Sequence, residues 1–572
     1  MNVFELFCKV LPNVQSQSAL VSGIGQERSA ISYAKLERRV DNVAVQFAQH
    51  GLKPGDRVLL AVPVSVDSYV VMLALLKAGM IVMLIDPAHD TKKVASILRS
   101  WPPAAIVATR PILLLRFFAP ELRAIRCRFV VGGCSAGAIE LDTDRHAATA
   151  FRTVRRSSAD SALLSFTSGS TGLPKPVIRT HGFLRQQIAI LHQVADTDSA
   201  DVDLVAMPMF VLFNLVNGVT SVIPACDMKN PGTASPRAIF AQLRDEKANR
   251  MVASPALVQR LADYCRSRAL VLPHLQRVST GGGPVSPNLA SALKLIAPNA
   301  SLRMVYGSTE AEPIACIDDF EISVTAKRKM RAGSGLLVGK PVPGCSVRVV
   351  RSQTGVVLGP FSAEEFADHV LRAGDIGEIV VSGKHVQTSY ADTTSNAGCK
   401  ISVEGRIWHR TGDAGYFDSS GNLWLVGRCS AAISDSRGVI YPFQIEYALS
   451  GLSGVRRVAL LAREGRRLLV VEPAGKCSPV DCVSAAACVA GYQIDQIVAV
   501  RRIPMDKRHN AKIDYPALEK LLDGRWPRIR LMLIESLSSV FRSCRSSYRR
   551  MLNFCKSRRT ASAAASWRQR PE

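Results

Sequence analysis

A polar run at residues 165–182, SFTSGSTGLPKPVIRTHG, concentrates side chains that could bind an anion. Glycine lets backbone N–H groups approach a ligand closely, and the Ser and Thr hydroxyls and one lysine add donors and charge, so the loop suits a polyphosphate. It is not a Walker A loop, because that motif needs Gly-Lys-Ser/Thr together and Lys175 lies between two prolines. The candidate phosphate-binding residues are Thr167, Ser168, Gly169, Ser170, Thr171, Gly172 and Lys175.

Five further segments could take part in the same chemistry. Each one alone is more often a turn or a solvated surface, but their joint order over about 350 residues makes coincidence implausible. The ordered set resembles the adenylate-forming superfamily, which includes acyl-CoA ligases, luciferases and the adenylation domains of peptide synthetases. The segments are STGGGPVS (279–286), MVYGSTEAEPIA (304–315), WHRTGDAGYFDSSGNLWLVGR (408–428), ISDSRGVIYPFQIE (433–446) and RIPMDKRHNAKIDYPAL (502–518).

The resemblance implies a nucleotide site. The glycines at 281–283 would form a backbone shelf for adenine, and Tyr306 would stack on the base. Asp413 would accept hydrogen bonds from the ribose hydroxyls, as a carboxylate does in dinucleotide sites. Together with the phosphate loop, the implied ATP-binding residues are Gly281, Gly282, Gly283, Tyr306, Gly307, Asp413 and Arg428.

The resemblance also implies catalytic roles. Thr309 would contact the α-phosphate, and Glu310 with Thr171 would hold Mg²⁺, an ion that neutralises phosphate charge through one or two carboxylates. Lys512 occupies the position of the family's mobile catalytic lysine. Gly438 would lie at the tip of a loop that enters the site for the second half-reaction.

The implied reaction has two steps. A carboxylate attacks the α-phosphorus of ATP, which gives an acyl-adenylate and pyrophosphate, and a thiol then takes the acyl group. The acceptor would be CoA or the phosphopantetheine of an acyl carrier protein. Positioning and charge stabilisation supply the catalysis of the first step, so the serines of the loop are donors rather than nucleophiles.

The acid is predicted to be lipophilic. The run PMFVLFNLVNGVTSVIPACD (208–227) is apolar and has no acidic residue before Asp227 that could bind an α-ammonium group. The predicted substrate-binding residues are Phe210, Phe213, Gly282 and Gly438. The sequence is most similar to a subgroup that holds long-chain acyl-CoA and acyl-AMP ligases and also the β-lactone synthetases of olefin biosynthesis. Ring closure of a β-hydroxy acid through an acyl-adenylate therefore stays open as the alternative to thiol transfer.

Two positions depart from the family's usual pattern. Cys429 follows Gly427-Arg428 where an Asp or Lys usually marks the domain hinge, and Ala511 replaces the glycine before the catalytic lysine. These changes bear on the second step and leave the prediction of adenylation intact.

The elements that must position these residues are predicted as follows. Apolar strand-like runs alternate with helix-like segments, which favours an α/β fold with parallel sheet, and shorter β-like pieces follow residue 340. We predict a large N-terminal domain (1–427) of stacked mixed and parallel sheets with a small β-barrel-like subdomain. A small mobile α+β domain (428–520) and a basic tail (521–572) complete the chain.

The cysteine content and the net charge indicate the compartment and the partners of the protein. The 572 residues include 14 cysteines without zinc spacing and have a net charge of +25, so we expect reduced thiols and a cytoplasmic enzyme. The tail holds twelve Lys and Arg against three Asp and Glu. Its basic amphipathic pattern at 529–556 predicts either peripheral contact with an anionic membrane or a helix docked on the protein. A nucleic-acid-binding protein is disfavoured, because no recognition motif accompanies the charge.

Overall fold

The computed structural model describes residues 1–86, 89–144, 150–168, 174–226, 234–286, 288–353, 355–390, 396–450, 452, 454–474, 493–505 and 513–523. The chain divides into two compact units. Met1–Val324 and Leu337–Leu425 belong to the first, and Thr325–Leu336 and Val426–Pro504 belong to the second.

The strands alternate with helices along most of the first unit, as predicted. In chain order the strands are β1 (Ser18–Ser22), β2 (Ser29–Ser32), β3 (Arg57–Ala61), β4 (Ile81–Leu84), β5 (Ala105–Thr109), β6 (Cys127–Val131), β7 (Ile139–Glu140), β8 (Ser161–Ser168), β9 (Pro174–Thr180), β10 (Val202–Val205), β11 (Thr220–Val222), β12 (Arg250–Ala253), β13 (Arg277–Gly281), β14 (Ser301–Ser308), β15 (Ala311–Asp318), β16 (Leu336–Pro341), β17 (Ser346–Val350), β18 (Gly377–Ser382), β19 (Lys400–Val403), β20 (Arg406–Phe417), β21 (Leu423–Arg428), β22 (Ile433–Asp435), β23 (Gly438–Ile440), β24 (Val455–Arg463), β25 (Arg466–Pro473) and β26 (Gln496–Ala499). The helices are α1 (Phe4–Val14), α2 (Tyr33–Gln49), α3 (Val66–Lys77), α4 (Thr91–Ser100), α5 (Arg110–Leu114), α6 (Pro120–Ala124), α7 (His181–Ala195), α8 (Met209–Val216), α9 (Pro236–Asp245), α10 (Pro255–Arg266), α11 (Leu289–Ile296), α12 (Val324–Arg331), α13 (Ala363–His369), α14 (Pro442–Leu449) and α15 (Tyr515–Asp523).

The first sheet has the strand order β7-β6-β5-β3-β4-β8-β9 and is parallel except for the β8–β9 pair. Helices cover both of its faces, so successive residues of a strand enter different cores. Val58 and Leu60 pack with α1, α2 and α3, whereas Leu59 packs on the opposite side with Ile97 and Leu98 of α4. Burial on both faces explains why these strands read as continuous apolar runs instead of alternating with polar residues.

The second sheet begins β17-β18-β20-β21-β16-β15-β14-β13 and continues β12-β10-β11-β1-β2, with β19 paired to β20. The neighbouring strands β1, β11, β10, β12, β13 and β14 are parallel to one another. The pairs β14–β15 and β15–β16 are antiparallel. The predicted α/β class with large mixed sheets is confirmed.

The strands after residue 340 form the predicted β-rich region. Within it, β17, β18, β19 and β20 pair in antiparallel fashion. Its own core includes Phe366, Val380, Ile401 and Trp408. The shift to short antiparallel strands therefore corresponds to a local hydrophobic cluster.

The second unit is a small α+β structure. The hairpin β22–β23 precedes α14, and β24, β25 and β26 form a three-stranded sheet. Its core contains Ile445 and Leu449 of α14 together with Leu460, Leu469 and Ile497. The mobility of this domain and its limits at 428 and 520 stay predictions.

Three further features concern the cysteines, the helices and the tail. Each cysteine within the described ranges is a free thiol. Among the described helices, none is both long and apolar enough to cross a membrane. The amphipathic segment predicted at 529–556 lies outside the described residues.

Candidate active site

The phosphate loop connects two antiparallel strands of the first sheet. Ser168 at the end of β8 pairs with Pro174 at the start of β9, and Thr167 pairs with Lys175. The polar run thus occupies the link of a hairpin at the carboxyl end of a parallel strand, where ligands of open α/β sheets bind. The predicted ligands Gly169, Ser170, Thr171 and Gly172 lie outside the described residues, as do the side chains of Thr167 and Ser168.

Lys175 lies in a cluster of two ammonium groups around one aromatic ring. Its Nζ is 5.4 Å from the ring centre of Tyr390 and 3.5 Å from Sγ of Cys399. The Nζ of Lys400 is 5.0 Å from the same ring. Two cations beside the phosphate loop raise the local positive potential, which favours a polyphosphate.

Lys400 is buried and has an altered proton affinity. Its Nζ hydrogen-bonds the carbonyl of Gln387 and lies 3.2 Å from Nδ1 of His409. Burial lowers the pKa of Lys400 to about 8, although the nearby Glu310 carboxylate opposes this shift. The lysine is therefore poised to lose its charge in mildly alkaline solution.

Glu310 is held in place by two hydrogen bonds of its own and by one that its neighbour Thr309 accepts. Its Oε1 accepts a 2.8 Å hydrogen bond from the Tyr390 hydroxyl, and its backbone carbonyl accepts one of 2.7 Å from the Gln387 amide. The carbonyl of the preceding Thr309 accepts a 3.0 Å bond from Arg179. Since Tyr390 occupies one carboxylate oxygen, the other is the candidate ligand for Mg²⁺, an ion that needs only one or two carboxylates when phosphates complete its shell.

Arg179 connects the YGSTE segment to strand β8. Besides the bond to Thr309, its guanidinium donates to Oγ of Ser165 at 3.2 Å. Burial lowers the pKa of Arg179, and the carboxylates of Glu312 and Glu310 oppose that effect. Arg179 therefore holds the backbone of Thr309, the residue predicted to contact the α-phosphate.

The glycine shelf lies at the carboxyl end of β13. A Cβ on Gly281 would come within 2.6 Å of the Val305 carbonyl, and Gly282 has φ of +73°. A Cβ on Gly307 would come within 2.9 Å of the Ala311 carbonyl. At these positions only glycine permits the close backbone approach or the backbone conformation. Gly283 follows directly after this turn.

The proposed base and ribose residues meet in the structure. The Tyr306 hydroxyl, at the end of β14, donates a 2.8 Å hydrogen bond to Oδ2 of Asp413 on β20. The β13–β14 register pairs Gly281 with Val305, the residue before Tyr306. Residues 281, 306 and 413, which the sequence could relate only through resemblance, are thus neighbours.

An apolar cavity contains both phenylalanines that were predicted to bind the substrate. Phe210 and Phe213 lie on α8, and the side of α7 that carries Leu184, Ile188 and Leu191 faces the same cavity. The spacing of these three residues is that of one helix face. The remaining lining residues are Val3, Phe4, Phe7, Leu73, Leu76, Gln187, Met209, Leu212, Val216 and Glu312.

Met207 lies two residues before the cavity-lining Met209 and near the glycine shelf. A Cβ at Gly282 would lie 4.0 Å from the Met207 methyl group. Gln187 and Glu312 are the polar residues of the lining, and the Gln187 amide donates to the Glu312 carbonyl at 3.2 Å. Burial raises the pKa of the Glu312 carboxyl.

Two predicted site residues, Arg428 and Gly438, belong to the second unit. Arg428 ends β21. Gly438 is exposed at the turn of the β22–β23 hairpin, with φ of +105°, and its carbonyl accepts a 3.3 Å hydrogen bond from Arg467. Lys512 lies outside the described residues, so its catalytic role stays a prediction.

Sequence reasoning missed four residues of this region. Gln387, Tyr390 and Lys400 come from a segment without a recognised motif, and Arg179 comes from β9. The only signal in the sequence was the charge of Arg179 within the otherwise largely apolar strand PKPVIRT. A buried charge requires a partner, so this arginine could have been expected to contact a polar group of the site.

Comparison with known proteins agrees with this geometry. The model of the AMP-binding enzyme family matches residues 12–391. The chain is 31% identical over 526 residues to an olefin beta-lactone synthetase of Xanthomonas campestris, covering 86% of this chain and 91% of that protein. It is 25% identical over 517 residues to the putative acyl–CoA ligase YdaB of Bacillus subtilis, covering 88% and 96% of the two chains.

Among solved structures, ATP-bound MatB from Rhodopseudomonas palustris superposes with a TM-score of 0.71 at 20% identity, covering 91% of this chain and 99% of that one. This likeness establishes the fold. The predicted family resemblance and the expectation of an ATP-dependent, acid-activating enzyme are confirmed. The chain belongs to the AMP-binding enzyme family and is an adenylate-forming ligase that activates a carboxylic acid.

Proposed function

We propose that the substrate is a lipophilic β-hydroxy acid and that its own hydroxyl accepts the activated acyl group, closing a β-lactone. The observation that carries this proposal is the identity with the Xanthomonas olefin beta-lactone synthetase, which extends over most of both chains. The alternative that the sequence left open is therefore favoured.

The cavity supports the lipophilic part of the proposal. Its lining is almost entirely aliphatic and aromatic, with contributions from α1, α3, α7 and α8. Transfer of a hydrocarbon chain into such a lining is favourable by about 0.8 kcal/mol for each buried CH₂ group. An amino acid would find no acidic partner for its α-ammonium group along α8, and burial raises the pKa of the lining carboxyl of Glu312, which disfavours its charged form.

The first step forms the acyl-adenylate. A carboxylate oxygen of the acid attacks the α-phosphorus, and the bond from that phosphorus to the bridging oxygen of pyrophosphate breaks. Lys175 and Lys400 would attract the phosphates, and Tyr306 with Asp413 would hold the nucleoside. Glu310 and Thr171 would hold Mg²⁺, which supplies neutralisation of phosphate charge.

The second step closes the ring. The β-hydroxyl oxygen attacks the acyl carbonyl carbon, the bond from that carbon to the AMP oxygen breaks, and the hydroxyl proton passes to solvent or to the departing phosphate. No external acceptor is needed. The unusual Cys429 and Ala511 lie at positions associated with the thiol-dependent second step, so their departure from the family pattern is compatible with an internal acceptor.

Transfer to a thiol is the second candidate. It is favoured by the similarity to an acyl–CoA ligase and by the exposure of Gly438 at a hairpin turn, where a loop for the second half-reaction was predicted. In this case CoA or the phosphopantetheine of a carrier protein would accept the acyl group, and the acid would need no hydroxyl.

One experiment separates these candidates. ATP–pyrophosphate exchange is measured with C8–C16 fatty acids, their β-hydroxy derivatives and a set of amino acids, and the products are analysed with and without CoA. We expect exchange with the apolar acids, and a neutral CoA-free product from the β-hydroxy acids. A thioester formed equally well from both acid types would favour the second candidate, and exchange with amino acids alone would contradict the lipophilic substrate.

A further inference from the structure

Exposed apolar side chains are concentrated in one short segment of the first unit. Leu114, Leu115, Phe117 and Phe118 are 43%, 52%, 57% and 88% exposed. Single exposed apolar residues are ordinary on a protein surface, but a contiguous group marks an interaction site. We define these four residues as the 114–118 patch.

The patch has a fixed position on the protein. Leu113 and Ile125, on either side of it, are buried in the core beneath the first sheet. Arg116 donates to the carbonyl of Ala136, and Arg123 donates to the carbonyl of Phe117 at 3.0 Å. The apolar side chains therefore project from an ordered support instead of belonging to a loose loop.

The charge around the patch has one sign. The segment from residue 110 to 128 contains five arginines and a single acidic residue, Glu121, which forms a 2.6 Å ion pair with Arg99. Arg110 and Arg126 are exposed. The Arg116 guanidinium lies 4.8 Å from the ring centre of Phe117, so the cationic and aromatic groups are intermixed.

This combination matches the surface of an anionic bilayer. Apolar side chains that enter the boundary between headgroups and acyl chains, flanked by arginines that contact phosphates, provide the two signals that stable peripheral binding requires. An acidic protein surface would satisfy the arginines but leave four large apolar side chains to be matched. A second copy of the chain would bring the arginines of both copies together.

The position of the patch in the sheet is also informative. Strands β5, β3, β4 and β8 are parallel neighbours, so the carboxyl end of β5, from which the short helix α5 leads to the patch, lies on the same edge as the end of β8. Three strand spacings separate them, roughly 15 Å. The patch therefore lies one short helix away from the sheet edge at which β8 leads into the phosphate loop.

We propose that the 114–118 patch inserts into an anionic lipid surface and holds the enzyme there with this edge of the sheet toward the bilayer. The surface is distinct from the basic tail that the sequence singled out. The proposal does not depend on which lipophilic acid is used, because the test measures lipid binding and not turnover.

The full-length protein is tested by flotation with vesicles of phosphatidylcholine containing 30% phosphatidylglycerol. The variant Phe117→Ser/Phe118→Ser removes the most exposed part of the patch. The matched control Leu295→Ser/Phe320→Ser removes two apolar side chains of similar exposure, 64% and 72%, elsewhere in the same unit. We expect the patch variant to lose vesicle binding on the order of 10-fold or more, and the control to bind like the wild type.

Charge and specificity form the second arm of the test. Arg110→Gln/Arg126→Gln should weaken binding to anionic vesicles and reduce its salt dependence, and vesicles of phosphatidylcholine alone should bind less wild-type protein. Equal binding by the wild type and the patch variant would overturn the proposal and assign any lipid contact to the tail. Absence of wild-type binding would also overturn it, and concentration-dependent self-association that the patch variant abolishes would identify the patch as a protein interface.

Discussion

The Tyr306 hydroxyl donates a 2.8 Å hydrogen bond to Oδ2 of Asp413, and this bond joins β14 to β20 across 107 positions of sequence. It fixes the phenol ring near the glycine shelf and orients the carboxylate that is predicted to bind the ribose. The orientation of the nucleoside would therefore depend on a pair of residues rather than on either one alone.

We expect Asp413→Ala to raise the KM for ATP by about 10- to 100-fold, because a hydrogen bond to a charged group contributes about 1.5–3 kcal/mol. Tyr306→Phe keeps the ring but loses the anchor, and it should have a smaller effect. ATP titrations of the exchange reaction measure both. Tyr264→Phe on α10 is the control, and an unchanged KM in Asp413→Ala would argue against the ribose role.

The charge of Lys400 should set an alkaline limit to activity. With a pKa of about 8, Lys400 loses its proton and its attraction for phosphate as the pH rises through that value. Exchange rates measured from pH 7 to 9.5 should fall accordingly. Lys400→Arg keeps its charge throughout, so its falling limb should move to higher pH, whereas the exposed-site control Lys340→Arg should follow the wild type. A Lys400→Arg profile identical to wild type would refute this assignment.

Filling the apolar cavity should select against long acids. Ile188 lies on the α7 face that lines the cavity. We expect Ile188→Trp to lower exchange with C14–C16 acids on the order of 10-fold while C8 acids and the KM for ATP change little, because the indole takes up cavity volume that a long chain needs and a short chain does not. Val271→Trp, at an exposed position, is the control. A uniform loss at all chain lengths would indicate general damage instead.

The two half-reactions should separate by mutation. Lys512→Ala should reduce adenylate formation on the order of 10²-fold, the scale for removing one preorganised charge-stabilising donor. Supplied with a pre-made acyl-adenylate, the same variant should still complete the second step.

Gly438→Trp should adenylate normally, and it should block only a reaction that needs an incoming thiol. Gly438→Ala is the control, because it has the same backbone strain at φ of +105° but lacks the bulky indole. A difference between the two variants therefore measures the steric effect of the indole. If β-lactone formation is the true second step, product formation should survive in Gly438→Trp.

Asp203 should make the first unit less stable as the pH rises. The residue is 1% exposed, and burial raises its pKa to about 6. The charge of Arg250 and a hydrogen bond from Asn214 lower the pKa in part, and the charge of Asp201 raises it further. The folded protein keeps this proton up to about pH 6, whereas an unfolded chain loses it near pH 3.9. Stability is therefore lost as the pH rises between these values and stays lost above them.

Asp203→Asn can still accept the bond from Asn214 and should gain up to about 3 kcal/mol relative to wild type at pH 7.5 and little at pH 4. Thermal unfolding across this range measures the difference. The exposed Asp368→Asn should show no such pH-dependent gain, and a constant difference for Asp203→Asn at all pH values would contradict the titration.

Local patterns were sufficient for much of this protein. The buried strands were predictable from continuous apolar runs, because a parallel sheet covered on both faces has no polar side. The ordered motifs indicated the family and ATP, since glycines, hydroxyls and carboxylates at such spacing reflect a ligand that the local chain must contact. Phe210 and Phe213 were predictable as cavity residues from the apolar sequence of α8.

The tertiary structure alone decided which distant residues meet. Tyr390, Lys400 and Arg179 lie beside the candidate site because residues of two different sheets meet there. Hydrogen bonds join β9 and the segment after β18 to Thr309 and Glu310, and no local pattern encodes that proximity. The lowered pKa of Lys400 and the exposure of Phe118 also depend on the tertiary structure. Burial depends on what the rest of the chain places around a residue, whereas the sequence by itself determines only what that residue can do once it is there.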